Sequence, residues 1–376
     1  MRIAVVSAVF PPTLGGMCTV AAAEAEALHE AGNEVVVYTL QTASTRADKA
    51  FDRAFPVPII RLLGLPRVWI SGAVPQLLWH LRREKVVYAH LPAYGFFAVL
   101  LLWKTLFSGR LVVTLHMDPI GVGWIKYIFR FERFMLRAVL RRANAIRVSS
   151  SRMQDSELLR DLGPATLKKI HVIPFGINLQ TFHPPQLTAQ RENAVLFVGR
   201  LSRTHYFKGV DVLLRAFRTV KEHQIKGTGP LPCLWVVGDG EERARYEQVV
   251  KDLGISNAVT FLGAVSDTEL PALYRRVRAL VLPSIDTSET FGMVLLEAMA
   301  SGTPVIASRL PGVDALVTHG SCGLLVEPGD QKELERALAD VFENPDVWSA
   351  RGIIARTAAE RYGEWKTIAG NLATLL

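Results

Sequence analysis

Two glutamates, Glu289 and Glu297, stand eight residues apart with Gly292 between them, inside the run Pro283–Pro304. Placed on one helix they would sit about 80° off a common face at 3.6 residues per turn. The spacing therefore favours Glu289 in a loop and Glu297 within a helix. The surrounding words agree: an apolar strand over 279–282, a polar loop over 284–290, good helix formers over 293–300, and a stop at Gly302. Near its start that helix would offer backbone N–H groups from Phe291, Gly292, Met293 and Val294, an arrangement that binds anions and phosphate above all. Gly292 removes a side chain where a ligand could approach the backbone. A second cluster, Gly199-Arg200 to Lys208-Gly209, puts a cation at each end of a glycine-bounded loop, which is a cradle for a diphosphate. Arg203 and His205 add donors to it. The chemistry this suits is the binding of a phosphorylated ligand, with carboxylates on either side for its hydroxyl groups. The spacing of the two glutamates alone equally fits one solvated acid and one helix-face Glu.

The elements that must position these groups read as alternating strands and helices. Residues 2–8 form a strand, Phe10 to Gly16 break it, 17–31 read as a helix, and 34–39 as a second strand. This is the opening of a Rossmann-like parallel sheet, with its loop at the carboxyl edge. Further strands are predicted at 57–60, 85–89, 110–115 and 144–148. A Pro-rich stretch, 183–192, reads as a linker. The pattern then restarts at 194–198, with a helix over 209–220 and strands at 233–237, 258–262, 279–282 and 304–307. A chain of 376 residues exceeds one compact core. The expectation is an α/β protein of two Rossmann-like domains, 1–185 and 186–354. No G-x-G-x-x-G fingerprint is present, so a dinucleotide site is not expected. Cys18, Cys233 and Cys322 are isolated, which fits reduced cytosolic thiols and neither disulfides nor a metal cluster. Met1-Arg2 leads straight into an apolar strand, so no signal peptide is expected, and the longest apolar run, 92–103, is too short to cross a bilayer.

The run through Ser-Glu-Thr-Phe-Gly and Leu-Glu-Ala-Met-Ala-Ser-Gly-Thr-Pro resembles the Glu-x7-Glu signature of the retaining glycosyltransferases of family 4, which have the GT-B fold. The resemblance covers nearly the whole chain and is most specific between 195 and 305. It implies two Rossmann-like domains facing across a cleft, with the segment 355–376 crossing back onto the first. It also implies that Arg200 and Lys208 neutralise the leaving nucleoside diphosphate, that Glu289 orients sugar hydroxyls and that Glu297 holds the ribose. Gly15 and Gly16 match the family's N-terminal Gly-Gly loop, which faces the diphosphate. His116 ends the strand Val112–Leu115 and matches the family's histidine that reaches the donor sugar; Met117 interrupts the usual His-Asp pair, so Asp118 is left without a firm match. The segments carrying Gly238 and Leu262 resemble those that bracket the nucleotide base. Phe175 and Asn178 depart from the family's wording.

Charge adds a second theme. Residues 1–185 hold 22 Lys+Arg against 12 Asp+Glu, and residues 186–376 hold 21 against 23. The basic excess thus belongs to the N-terminal half and favours an anionic partner there. Lys126, Arg130, Arg133, Arg137 and Arg141 fall within about 80° of one another on a helical wheel, among Trp124, Phe129, Phe131 and Phe134. Such a helix suits an anionic membrane interface; the alternative is a core helix with one solvated basic stripe.

Together these readings predict a retaining glycosyltransferase. It would move a hexose-type sugar from a UDP- or GDP-linked donor to a glycolipid or polyprenyl-linked acceptor. No Asp-x-Asp motif occurs, and neither a metal nor another cofactor is expected. No nucleic acid is expected as a partner. The expected location is cytoplasmic, peripheral on the inner face of the cell membrane. A GT-B nucleotide-sugar epimerase and a non-catalytic nucleotide-sugar binding protein are the alternatives.

Overall fold

The computed structural model describes residues 1–13, 15–41, 45–68, 71–117, 125–185, 191–224, 230–318 and 321–376; the side chains of 45, 65–68, 71–73, 125–129, 155, 157, 224 and 318 also lie outside the description. The chain divides into two units, Met1–Gly176 with Glu364–Leu376, and Ile177–Gly363.

The first unit is built on a seven-stranded sheet of β1 (Arg2–Ser7), β2 (Glu34–Leu40), β3 (Ile59–Leu62), β6 (Val86–Leu91), β7 (Arg110–Leu115), β8 (Ala145–Val148) and β9 (Ile170–Val172). Its order is β3-β2-β1-β6-β7-β8-β9, with every pair parallel. A short antiparallel pair, β4 (Leu65–Val68) and β5 (Ser71–Ala73), stands apart from it. Parallel strands covered on both faces need continuous apolar runs, and β1 and β6 supply them. Successive side chains of β1 alternate between two cores: Ala4 and Val6 join one with Leu100 and Trp103, and Ile3 and Val5 join the other with Leu28 and Leu372.

The second unit carries a six-stranded parallel sheet: β10 (Ala194–Val198), β11 (Cys233–Val237), β12 (Val259–Gly263), β13 (Ala279–Leu282), β14 (Val305–Ser308) and β15 (Gly323–Val326). Its order is β12-β11-β10-β13-β14-β15. In both sheets the chain order reverses beside the first strand, between β1 and β6 and between β10 and β13. Ligands of open α/β sheets bind outside the carboxyl ends of the strands at such a switch point.

The division of the chain differs from the expected one at both ends. Residues 177–185, expected in the first domain, are bonded into the second unit. The Ile177 N–H donates to the Gly363 carbonyl (3.1 Å), and Arg356 Nη1 donates to the carbonyls of Phe182 and Ala300, both 2.7 Å away. The helix Pro345–Glu360 belongs to the second unit as well. Only the last segment, Glu364–Leu376, joins the first: its helix Trp365–Ala373 packs on the helix Gly16–Glu30, and Arg110 Nε donates to the Leu375 carbonyl at 2.7 Å. The expected crossing segment, 355–376, therefore starts too early. β9 and β15, three and four residues long, were not predicted.

Candidate functional site

In the second unit the candidate residues collect on the two strands that flank the switch point. β10 runs into Gly199 and Arg200, and its neighbour β13, paired through Val195↔Ala279 and Leu196↔Leu280, runs into the loop toward Glu289. The two loops are then drawn together at Gly209. This residue has φ +70°, and a Cβ placed on it would lie 2.0 Å from the Pro283 carbonyl oxygen. The Ile285 N–H donates to the Phe207 carbonyl at 2.7 Å, locking the approach. As a result the Lys208 ammonium donates to Glu289 Oε2 in a largely buried ion pair. Ser284 Oγ donates to the same oxygen at 3.4 Å.

Glu289 stands in the loop, and Glu297 stands inside the helix Met293–Ala300. That helix covers the expected residues. Gly292 is its N-cap at φ +75°, and the Leu295 N–H already turns back to the Gly292 carbonyl (2.8 Å). The first helical N–H groups are those of Met293 and Val294. Phe291 precedes the N-cap and packs its ring edgewise on Tyr362 at 6.0 Å, so Phe291 is not part of the helix end itself. Glu297 is buried, with Oε2 accepting from the Tyr274 hydroxyl at 2.8 Å. Burial pushes its carboxyl up to about 7, with Asp267 acting in the same direction and the Tyr274 hydrogen bond opposing it.

The cations of the first loop separate. Arg203 Nε engages Glu242 at 2.9 Å on an exposed surface, while Arg200 stands exposed at the end of β10. His205 bonds Ser202 Oγ at 2.6 Å, and burial, with Lys208 and Arg200 adding to it, pushes its imidazole down to about 4. The Gly238 N–H donates to the Gly263 carbonyl (2.8 Å) and Gly199 N–H to the Val237 carbonyl (3.0 Å), which ties together the ends of β10, β11 and β12. Leu262 is 39% exposed on β12. Sequence reasoning missed Ser284 and Tyr274, which bond the two glutamates. Ser284 was within sight as the residue after Pro283; nothing in the sequence singles out Tyr274.

In the first unit, Gly15 is the N-cap of the helix Gly16–Glu30 at φ +146°, and Gly16 is its first residue. His116 follows β7 and is buried. Its Nε2 lies 2.9 Å from His90 Nδ1, and its ring lies nearly parallel to that of Phe175 at 5.3 Å. Behind them Glu24 accepts from Arg147 Nη1 and from the Tyr88 hydroxyl (2.7 Å), in a fully buried polar network. His90 had no sequence signal: it lies inside the apolar run of β6. Asp118 and Trp124 lie outside the described residues, as does the side chain of Lys126.

The basic helix spans Ile125–Arg142. Its stripe is divided. Arg137 pairs with Asp161 at 2.5 Å and Arg141 reaches the Asp161 carbonyl at 3.5 Å, while Arg130 is exposed. Arg133 is half-buried. Phe131 and Phe134 are each 61% exposed, as are Leu102 (50%) and Leu106 (62%) on the neighbouring helix Phe97–Leu106. Among the described residues, no helix is long and apolar enough to cross a membrane, and no group of three or more His, Cys, Asp or Glu could hold a metal ion.

Two α/β units with these sheet orders, and candidate residues at the carboxyl edges of both, define a protein of the GT-B fold. Solved structures of that fold agree over the full chain. Sucrose-phosphate synthase from Thermosynechococcus elongatus superposes with a TM-score of 0.82 at 24% identity, covering 100% of this chain and 98% of that one. Anabaena HepE in complex with UDP-glucose does so with a TM-score of 0.78 at 21% identity, again covering 100% and 98%. Two family models lie end to end on the sequence, Glycosyltransferase Family 4 over residues 14–181 and Glycosyl transferases group 1 over residues 180–361. The chain belongs to the family 4-type glycosyltransferases. Among curated relatives, D-inositol 3-phosphate glycosyltransferase of Corynebacterium urealyticum is 35% identical over 221 residues, which are 55% of this chain and 50% of that protein. Glycogen synthase of Mycobacterium tuberculosis is 28% identical over 364 residues, 94% of this chain and 78% of that one. The chain thus spans about half the length of the first of these relatives.

Proposed function

We propose that this protein is a retaining glycosyltransferase that takes a hexose from a nucleoside-diphosphate donor, UDP- or GDP-linked. The observation that carries this reading is the convergence of Lys208, Glu289 and the start of helix Met293–Ala300 beside the β10/β13 switch point. A departing diphosphate needs cations and oriented N–H groups where its charge develops. Lys208, Arg200 and the N–H groups of Met293 and Val294 supply them. Glu289 orients sugar hydroxyls, Glu297 holds the ribose, and His116 reaches the donor sugar. The nucleotide base lies against the backbone near Gly238 and Leu262, and Gly15 and Gly16 face the diphosphate. No protein nucleophile and no metal take part. UDP-glucose is the first donor to test, since HepE was solved with it. Turnover of a nucleotide-sugar panel should persist in EDTA, and NMR of the product should show the donor's anomeric configuration retained. Loss of turnover on chelation, or an inverted product, contradicts this mechanism.

The acceptor is a glycolipid or polyprenyl-linked glycan at an anionic membrane surface on the cytoplasmic side. What supports this is the exposed set Phe131, Phe134, Leu102 and Leu106 beside Arg130, which joins apolar contact to charge as interfacial helices do. Arg137 and Arg141 are engaged with Asp161 and are weaker candidates for lipid contact. Sedimentation with vesicles rich in phosphatidylglycerol should fall severalfold in Phe131→Ser/Phe134→Ser and in Arg130→Glu. Unchanged sedimentation of all these variants would remove the helix from the membrane contact.

A further inference from the structure

We propose that the Lys208–Glu289 ion pair is a latch that makes the site discriminate against a nucleoside diphosphate lacking its sugar. Without a sugar, Lys208 is drawn back to Glu289. With one, Glu289 turns to the sugar hydroxyls and releases Lys208 to the phosphates. This rests on the reading above, in which Lys208 meets the diphosphate and Glu289 the sugar.

Both side chains are largely withdrawn from water, Lys208 being 14% exposed and Glu289 10%. The ammonium donates to Glu289 Oε2, and Ser284 Oγ reaches the same oxygen at 3.4 Å, a long and weak bond. The centre of the Phe207 ring lies 5.5 Å from the ammonium. Lys208 is the only cation paired with Glu289 among the described residues. His205 feels the charges of both. Burial, with Lys208 and Arg200 acting in the same direction, pushes its imidazole down to about 4, so it is neutral near pH 7 and cannot take over as the counter-ion.

A bound diphosphate draws Lys208 away from this carboxylate. Glu289 is then a buried anion with one weak hydroxyl partner and a second anion close by, the costly half of a broken pair. A complete donor supplies what is missing, because its sugar hydroxyls donate to the carboxylate oxygens. A bare nucleoside diphosphate brings no such hydroxyls. The penalty therefore falls on the product and not on the donor. After transfer the sugar leaves with the acceptor, and Glu289 loses its hydroxyl partners. Lys208 then returns to it, and the spent diphosphate loses a cation. Lysine suits this exchange, being a point charge on a flexible four-carbon stem that can change partners while its backbone stays still. That backbone is fixed by Gly209 against the Pro283 carbonyl and by the hydrogen bond from the Ile285 N–H to the Phe207 carbonyl at 2.7 Å. Gly209 thus keeps Lys208 within reach of the site, and Glu289 governs when its charge is free.

The test titrates the full chain calorimetrically with UDP, GDP, inorganic pyrophosphate and a panel of nucleotide sugars. Wild type, Glu289→Gln, Lys208→Ala and the double variant are compared. Glu289→Gln keeps an acceptor oxygen for Lys208 and Ser284 but no charge. It should bind UDP or GDP about 10-fold more tightly than the wild type, the low end of what a charged hydrogen bond contributes. The matching nucleotide sugar should show no such gain, since its hydroxyls lose the same carboxylate. In the Lys208→Ala background the gain should vanish, which separates release of Lys208 from mere loss of a negative charge near the phosphates. Glu289→Asp keeps the charge but draws it back from the ammonium. It should show part of the gain, and it decides the matter where circular dichroism finds Glu289→Gln unfolded. Diphosphate affinity no higher in the folded variants than in the wild type overturns the proposal. An equal gain for the nucleotide sugar, or in the Lys208→Ala background, does so too. Pyrophosphate keeps the two readings apart. If it binds Glu289→Gln more tightly than wild type while no nucleotide binds either, the latch stands and the nucleotide reading falls. If the wild type turns over a nucleotide sugar while the diphosphate affinities of wild type and Glu289→Gln match, the latch falls and the nucleotide reading stands.

Discussion

A carboxyl as deeply buried as Glu297 is costly to ionise, and the hydrogen bond from the Tyr274 hydroxyl offsets only part of that cost. Its value in the fold is raised from 4.5 to about 7. Between those two points the native state binds more protons than the unfolded chain, so stability must fall as pH rises. The contribution is full below the unfolded value and is lost as pH passes through about 7. The gap corresponds to as much as about 3 kcal/mol. Thermal melts over this range should show a decline in the wild type that Glu297→Gln lacks. Tyr274→Phe, which removes the bond holding the value down, should move the decline to higher pH. A wild-type profile parallel to that of Glu297→Gln would mean Glu297 ionises without penalty. At this scale the sequence was informative where residues are contiguous. Glu289, Glu297, Arg200 and Lys208 sit inside recognisable words. Tyr274 and His90 do not, because their partners come from helices and strands that only the folded sheet brings alongside.

The approach of two loops at Gly209 is the element-scale counterpart. Its φ of +70° disfavours a side chain, and its Cβ position is filled by the Pro283 carbonyl at 2.0 Å. Gly254 has a similar φ, +68°, with nothing within 4 Å of a built Cβ. Gly254→Ala therefore isolates the left-handed penalty, about 1–2 kcal/mol. Gly209→Ala should cost more than that and weaken diphosphate binding too, since the loops must part and Lys208 must leave Glu289. Equal melting temperatures and equal binding in the two variants would show that the close approach is not needed. Element boundaries were harder to read than elements. The helix at 293–300 was foreseen, but its N-cap falls at Gly292, so Phe291 lies outside it. The basic stripe of Ile125–Arg142 looks uniform on a wheel, because a wheel cannot show that Asp161 neutralises Arg137. The short strands β9 and β15 escaped because three or four residues carry no period.

At the scale of the molecule, two parallel sheets with the same kind of switch point recur in one chain, and the candidate residues gather at those points. The two-sheet plan was legible because each half opens with strand, glycine turn and helix. The change from one unit to the other was not, since 183–192 has the composition of a linker while the chain passes over at Gly176/Ile177 and returns at Gly363/Glu364. Hydrogen bonds from the Arg356 side chain and the Ile177 N–H, invisible to composition, tie 177–185 to the second unit. The central claim is that the carboxyl edge of the second sheet grips a nucleoside diphosphate chiefly through its phosphates. Calorimetric titration of the wild type and Lys208→Ala with UDP, GDP and the matching nucleosides tests this directly. One diphosphate should bind the wild type at least about 10-fold more tightly than its nucleoside, a difference of about 1.4 kcal/mol, and Lys208→Ala should erase most of that advantage. Equal affinity for diphosphate and nucleoside in the wild type, or an undiminished advantage in Lys208→Ala, would contradict it.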